Sequence, residues 1–203
     1  YEEVLALDST NVAALQQNVT IYKNINPAAA MDYLKKIQSI DPNNYTVWKD
    51  MADVAYTLQR YDEARENYEK YFSLVPEHDI DQLAAQNYVV SISSAMDFAK
   101  LDPEARKFHA KWPNDIVFRR MMFLSDVYNQ ADSAKLAESV TYLTDPQYKE
   151  TDYTFLDWSV ATTYAKNNGD YTSAIDYTKK AIAADSTREA TKAELGFLYF
   201  ADS

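Results

Sequence analysis

The sequence predicts an all-α protein built from repeated pairs of helices. Only two glycines occur in the 203 residues, whereas average usage of about 7% would give roughly fourteen. Glycine and proline supply most tight turns, so their scarcity argues against sheets and favours helices joined by short polar links. An alanine, a bulky ring and a helix-ending residue also recur at fixed spacing along the chain.

The stretch YDEARENYEKYF (61–72) shows the repeated pattern most clearly. On a helix, Ala64, Tyr68, Tyr71, Phe72 and Val75 fall at i, i+4, i+7, i+8 and i+11, which places them on one apolar face. This face consists mainly of rings but begins with a methyl group. We therefore predict that another helix backbone passes close to Ala64.

The same alanine recurs with matching neighbours. A helix-ending residue follows it after twelve positions, and a bulky ring usually precedes it by sixteen. The alanines and the helix-ending residues that follow them are Ala30 with Pro42, Ala64 with Pro76, Ala134 with Pro146 and Ala174 with Ser186. The rings sixteen positions earlier are Trp48 before Ala64, Phe118 before Ala134 and Trp158 before Ala174. Ala30 and Ala64 lie 34 residues apart.

These positions resemble the tetratricopeptide repeat (TPR) family, whose 34-residue pattern is W-x2-L-G-x2-Y…A-x3-F…P. The matching residues are Trp48, Met51, Ala52, Ala64, Tyr68 and Pro76 in one unit; Trp158, Ala161, Gly169 (in the turn), Ala174 and Ala181 in another; and Leu195, Gly196 and Tyr199 near the end. The resemblance implies an α-α superhelix, a right-handed solenoid of antiparallel helix pairs. It also implies that the recurrent alanine lies where the two helices of a pair cross.

The resemblance predicts a single solenoid over residues 1–203. We expect units at about 11–44, 45–78, 79–114, 115–147 and 155–188, a partial unit at 189–203, and the tail of a preceding helix at 1–10. The units 79–114 and 115–147 are irregular, because Pro113 follows Ala105 by only eight residues and Glu138 stands where a ring is expected after Ala134. His109 is expected to be the packed ring after Ala105.

The net charge limits the class of binding partner, and the absence of cysteine bears on the cellular compartment. The net charge of −11 opposes binding to nucleic acid. The longest uncharged run, residues 82–96, is too short and too polar to span a bilayer. Without cysteines there is neither a disulfide nor a thiolate metal site, so a cytoplasmic and a bacterial periplasmic (extracytoplasmic) location both remain open. Because residue 1 is Tyr, we expect the chain to be part of a longer protein.

The sequence predicts no catalytic residue, no cofactor and no metal site. It lacks a phosphate-binding glycine loop, a dinucleotide fingerprint, an H-E-x-x-H pair and any cysteine pair. The two histidines, His78 and His109, stand apart, and neither has the neighbours of a metal site or a catalytic base. His78 lies in the sequence HDID, which we interpret as a solvated turn between repeats.

The TPR resemblance implies that the first helices of the pairs line a concave groove. Carried over position by position, the candidate groove residues are Lys49, Asp53, Tyr56, Arg119, Phe123, Asp126, Thr163, Lys166, Phe197 and Phe200. Some members of the family hold a peptide's C-terminal carboxylate with a Lys and an Asn one turn later. Here Asp53 follows Lys49 and would repel that carboxylate, which argues against such a clamp.

The last helix is predicted to be apolar nearly all round. Leu195 and Tyr199 should pack on the preceding unit through a close approach at Gly196. Phe197, Leu198 and Phe200 should then form an exposed patch large enough to mark an interface. This patch predicts either a covering helix in a longer chain or self-association through the C-terminal helix.

Three functional interpretations follow from the sequence. The preferred one is a non-catalytic protein–protein interaction module that binds a peptide or protein partner, of unknown identity, in the groove. The second is a structural spacer or docking domain of a larger protein. The third is part of a SusD-like glycan-binding outer-membrane protein, although the long insertions that carry sugar sites in that family are missing.

Overall fold

The computed structural model describes residues 1–202, which contain twelve α-helices and no strand. Their bounds are α1 Glu2–Leu7, α2 Val12–Tyr22, α3 Pro27–Ile40, α4 Tyr45–Thr57, α5 Tyr61–Leu74, α6 Gln82–Ser94, α7 Phe98–Lys111, α8 Ile116–Tyr128, α9 Ser133–Ser139, α10 Phe155–Asn167, α11 Tyr171–Ala184 and α12 Glu189–Ala201. Short 3-10 segments lie at Glu77–Asp79, Val140–Thr144 and Glu150–Asp152. The predicted all-α class is confirmed. None of these helices is long and apolar enough to cross a membrane.

The helices form two compact units, residues 1–97 and 98–203. In the first unit α2 packs on α3, α4 packs on α5, and α3 and α5 also contact the helices that follow them. In the second unit α7 packs on α8, α10 on α11 and α11 on α12, while α8 also contacts α9 and α10. Within each unit, helices that pack together and are joined by a link of only a few residues run antiparallel.

Four of the alanines singled out by spacing are completely buried. Ala30 and Ala64 lie in the core of the first unit, and Ala105 and Ala174 in that of the second. A methyl group at these positions lets two helix backbones approach, and a larger side chain would have to displace close-packed neighbours.

Ala134 does not follow this pattern and is exposed. The physical reason is that α9 has only seven residues and continues as the 3-10 segment Val140–Thr144. Tyr142 and Leu143 of that segment fill the core instead. The prediction that Ala134 lies at a helix crossing is therefore wrong.

The turns after α4, α6, α8 and α10 share one backbone geometry. Each contains a residue in the left-handed region: Gln59 (φ 57°), Met96 (56°), Gln130 (52°) and Gly169 (72°). After α4, the Arg60 N–H donates to Ala55 O (2.9 Å) and the Gln59 N–H to Tyr56 O (2.9 Å). This pair of bonds is the Schellman motif, which supplies hydrogen-bond donors to carbonyl groups that have no partner within the helix. The same pair of bonds recurs in the other three turns, and the predicted place of Gly169 in a turn is confirmed.

Candidate functional site

The candidate groove residues of the first unit lie on α4, and one of them, Asp53, is the centre of a charged cluster. Lys49 Nζ lies 2.9 Å from Asp53 Oδ2, and Lys23 Nζ lies 3.6 Å from the same oxygen and 3.0 Å from Asp50 Oδ1. The Tyr68 hydroxyl, which comes from α5, donates to Asp53 Oδ1 at 2.7 Å. The result is a partly exposed cluster of two lysines and two aspartates with balanced charge, which we call the α4 cluster.

The α4 cluster shifts the pKa values of two residues, Lys49 and Tyr68. Burial lowers the pKa of Lys49, but the hydrogen bond and the charge of Asp53 outweigh this effect and the pKa is raised overall. Burial, followed by the neighbouring Asp53 charge, raises the pKa of Tyr68 far above its usual value. Lys49 therefore stays charged and Tyr68 stays neutral at physiological pH. A carboxylate arriving at Lys49 would have to compete with Asp53.

Tyr56 follows Lys49 and Asp53 on the same helix, at i+7 and i+3 respectively. Its ring is half-buried and contacts Tyr61 edge-on, with the ring centroids 5.7 Å apart. Burial and the nearby Tyr61 raise the pKa of Tyr56. Tyr56 thus offers part of a ring surface beside the α4 cluster.

The candidate set Arg119, Phe123 and Asp126 on α8 does not form an open surface. Phe123 is fully buried and Asp126 is 1% exposed, because α7, α9 and α10 all pack around α8. Arg119 bonds to Asp145 and donates to Thr141 Oγ1 at 3.1 Å. A partner on the surface could reach neither Phe123 nor Asp126, so the prediction that they line a groove is wrong.

Two ionic networks in the second unit were not anticipated from the sequence. Arg106 donates to both oxygens of Asp126 (2.9 and 2.7 Å) and also to Asp102 (2.6 Å). Asp157, which is fully buried, accepts bonds from Arg120 (2.7 Å) and from the Tyr142 hydroxyl (2.7 Å). These networks join helices to one another and offer no open ligand position.

One sequence signal could have located the second network. Thr154 and Asp157 form a capping box at the start of α10, and the T-x-x-D spacing that builds it can be recognised in a sequence. The partners Arg120 and Tyr142 come from distant parts of the chain and carry no such signal.

The remaining candidate residues lie on α10 and α12 of the second unit, and Lys166 of α10 contacts α12. Lys166 Nζ lies 2.6 Å from Glu194 Oε1 and so connects α10 to α12. Thr163 is half-buried and donates to the carbonyl of Ser159 (3.1 Å). Phe197 and Phe200 are 76% and 84% exposed.

Residues 23–86, which include the whole α4 cluster, match the model of the tetratricopeptide repeat family. Residues 23–86 carry tetratricopeptide repeats. No curated protein matches the chain significantly, but solved TPR structures do.

Three solved structures match over nearly the whole chain. YrrB, a TPR protein with an unusual peptide-binding site, is 12% identical, with a TM-score of 0.71 over 95% of this chain and 96% of its own. PilW, a type IV pilus biogenesis factor, is 17% identical, with a TM-score of 0.62 over 96% and 87%. The C-terminal part of a TPR protein from Cytophaga hutchinsonii is 16% identical, with a TM-score of 0.63 over 93% and 71%. At these identities the likeness shows the fold, and the predicted TPR fold class is confirmed.

The last helix departs from the TPR expectation in the way it packs. Leu198 is buried with Ala165, Ala174 and Ile175, and Leu195 packs partly against this cluster. Tyr199 is 51% exposed, and a Cβ at Gly196 would meet no described atom within 4 Å. The predictions of a close approach at Gly196 and of an exposed Leu198 are therefore wrong, whereas Tyr199 contacts the preceding unit through Lys179, whose Nζ lies 5.4 Å from the centroid of its ring.

The histidines form no metal-binding group. His78 is exposed in the 3-10 segment Glu77–Asp79, 3.5 Å from Asp79. Among the side chains that the structure describes, no three His, Asp or Glu residues lie together as a metal site would require. Burial, followed by the charge of Arg119, lowers the pKa of His109. The fully buried ring after Ala105 is Phe108, so the predicted role of His109 as that ring is wrong.

Proposed function

We propose that this chain is a non-catalytic protein–protein interaction module that binds a peptide or protein segment along the first helices of its TPR pairs. The observation that carries the proposal is the α4 cluster, a partly exposed group of paired charges beside Tyr56 that lies within the family-matched residues 23–86. Ion pairs that remain partly in water are each worth only about 0–1 kcal/mol. A charged group of a partner can therefore exchange with the more exposed Lys23–Asp50 pair, whereas at Lys49 it competes with Asp53.

The cluster also indicates what kind of segment it would accept. Lys23 and Lys49 can receive a carboxylate, Asp50 and Asp53 can receive a cation, and the half-exposed ring of Tyr56 can contact an apolar anchor. Aromatic and apolar anchors supply most of the affinity in protein interfaces, while charged contacts select the partner. We expect a segment with an apolar or aromatic anchor beside at least one acidic residue.

The second unit contributes Thr163 and Lys166 to the proposal. They occupy positions on α10 equivalent to Asp53 and Tyr56 on α4, and Lys166 is similarly held by an acidic neighbour, Glu194. Phe197 and Phe200 belong to a different surface, since they share a face of α12 with Ala193 and Gly196.

Selection from a displayed peptide library tests the function. Enriched peptides should contain an apolar anchor and an acidic residue, and their affinity should fall at least tenfold on Lys49→Glu and on Tyr56→Ala. The matched control is Lys35→Glu, since Lys35 lies on the second helix α3 and is more exposed than Lys49. Enrichment of polybasic peptides that bind better to Lys49→Glu would contradict the proposal. A library without any enriched sequence would favour the spacer interpretation.

A further inference from the structure

A cleft of about 400 Å³ lies in the second unit, where α8 and α10 end close to each other. Its walls are the last turns of these two helices, the turns that follow them, and one residue of α9. The volume falls within the range of small-molecule sites in proteins, about 300–1,000 Å³. We call this space the turn cleft.

The turn cleft has an uncharged lining. None of the described residues that line it carries a charge, although 25% of the chain is Asp, Glu, Lys or Arg. A similar cleft of about 410 Å³ in the first unit, between the turn after α4 and the end of α6, is lined partly by Arg60, Asp62 and Glu63. The repeat fold therefore provides such a space without requiring an uncharged wall. A charged ligand would lose hydration in the turn cleft without meeting a countercharge, so we expect an uncharged ligand.

One part of the lining is apolar. Val127 is 5% exposed, and Ala131 and Leu136 are half-buried. The half-buried Tyr164 ring makes a T-shaped contact with the buried Phe123 ring, with the centroids 5.7 Å apart and the planes at 70°. Because this contact fixes the orientation of the Tyr164 ring, the cleft offers a defined aromatic surface to the C–H groups of a ligand.

The other part of the lining consists of side-chain amides. Gln130, Asn167 and Asn168 are exposed, and their side chains form no hydrogen bond within the part of the chain that the structure describes. Their backbone is held in place, since the Gln130 N–H donates to Val127 O (3.3 Å) and the Asn168 N–H to Tyr164 O (3.2 Å). Each side-chain amide offers both donors and an acceptor. The cleft can therefore bond groups that donate and accept at once.

We propose that the turn cleft binds an uncharged carbohydrate, with one sugar ring against Tyr164 and its hydroxyl groups bonded to the amides of Gln130, Asn167 and Asn168. A sugar ring presents C–H groups that can pack on an aromatic ring, and hydroxyl groups that both donate and accept. An apolar side chain of a peptide would deprive the amides of water without replacing their hydrogen bonds, which lowers affinity. This carbohydrate site is separate from the peptide site proposed at the α4 cluster.

Binding to a panel of immobilised uncharged oligosaccharides, followed by titration of the best one in solution, tests the proposal. We expect a dissociation constant on the order of millimolar, because a single small cleft makes few contacts. The double variant Asn167→Ala, Asn168→Ala should raise it at least tenfold without lowering the melting temperature, since both side chains are exposed. The matched control Asn43→Ala removes an exposed amide in the first unit and should leave binding unchanged.

Two further measurements locate the bound carbohydrate. In heteronuclear NMR spectra the side-chain amide signals of Gln130, Asn167 and Asn168 should shift on titration, and that of Asn43 should not. The affinity should be the same at low and high salt, because no ion pair forms. Lys49→Glu should also leave the affinity unchanged, so a failure of the peptide proposal can be told apart from a failure of this one.

Three results would overturn the carbohydrate site. One is the absence of binding by every uncharged oligosaccharide at about 10 mM. Another is equal affinity of the native chain and the double variant, or NMR shifts confined to other surfaces. The third is binding of uncharged peptides rich in Asn and Gln at the turn cleft in place of carbohydrates, which would assign the cleft to a protein partner.

Discussion

Arg106 and Asp126 form an ion pair through a single guanidinium nitrogen, Nη2, and only Asp126 is buried. Arg106 donates to both carboxylate oxygens at 2.9 and 2.7 Å. Asp126 is 1% exposed, whereas the Arg106 side chain is 25% exposed and also bonds to Asp102. Asp126 therefore relies on Arg106 to neutralise its buried charge, whereas Arg106 has a second partner and access to water.

We expect Arg106→Ala to cost about 3–5 kcal/mol in the free energy of unfolding, because it leaves the buried Asp126 carboxylate without its cation. Asp126→Ala should cost less, because Arg106 keeps Asp102 and access to water. Urea denaturation measures both values. Lys107→Ala, at an exposed neighbouring cation, is the control and should change stability by less than about 0.5 kcal/mol. Equal losses in the two main variants would contradict the unequal dependence.

The buried alanines should not tolerate enlargement. Ala64→Leu and Ala174→Leu should each lower the free energy of unfolding by about 1–3 kcal/mol, because they overpack a helix crossing. Ala134→Leu is the matched control, since Ala134 shares their sequence spacing but is exposed, and it should have little effect. If the three denaturation midpoints coincide, the buried alanines are not tight crossings.

Replacing each of the two glycines with alanine should change the free energy of unfolding in opposite directions. Gly169→Ala should destabilise the protein by about 1–2 kcal/mol, because alanine is strained at a φ of 72°. Gly196→Ala should stabilise the dilute protein by up to about 1 kcal/mol, because the residue is helical and its Cβ meets nothing. Thermal melting of the two variants side by side gives both signs. A loss of stability in dilute Gly196→Ala would reveal an intramolecular contact at that position.

Alkaline pH should destabilise the protein through its buried tyrosines. Burial, and then the charges of Asp53 and Asp157, raise the pKa values of Tyr68 and Tyr142 above the usual 10. The protonated tyrosines stabilise the fold fully below about pH 10. As the pH rises above 10, the unfolded chain loses these protons first, so the stability falls.

The measurement is the free energy of unfolding between pH 8 and 11. Tyr68→Phe should show a shallower decline than the native protein, even though it starts from a lower stability. An unchanged slope in Tyr68→Phe would mean that this hydroxyl does not keep its proton in the fold.

Much of the fold was predictable because its signals are local. The face that begins at Ala64 follows from helical spacing within one helix, and the turn at Gly169 follows from the residue that best adopts a positive φ. The candidate residues Lys49 and Asp53 also lie one turn apart on the same helix, so their contact needs no tertiary information. In contrast, Gln59, Met96 and Gln130 adopt the same turn without glycine, and nothing in their residue types predicted it.

The helices, the repeat spacing and the alanine crossings at residues 30, 64, 105 and 174 follow from the amino-acid sequence, because they depend on periodicity and side-chain size along the chain. Which side chains remain accessible to a partner depends on the tertiary packing. Phe123 and Asp126 are buried because several helices surround α8, whereas Phe197 and Phe200 are exposed because α12 turns Leu195 and Leu198 inward. Exposure depends on contacts between distant segments, and a pattern within one helix cannot specify those contacts.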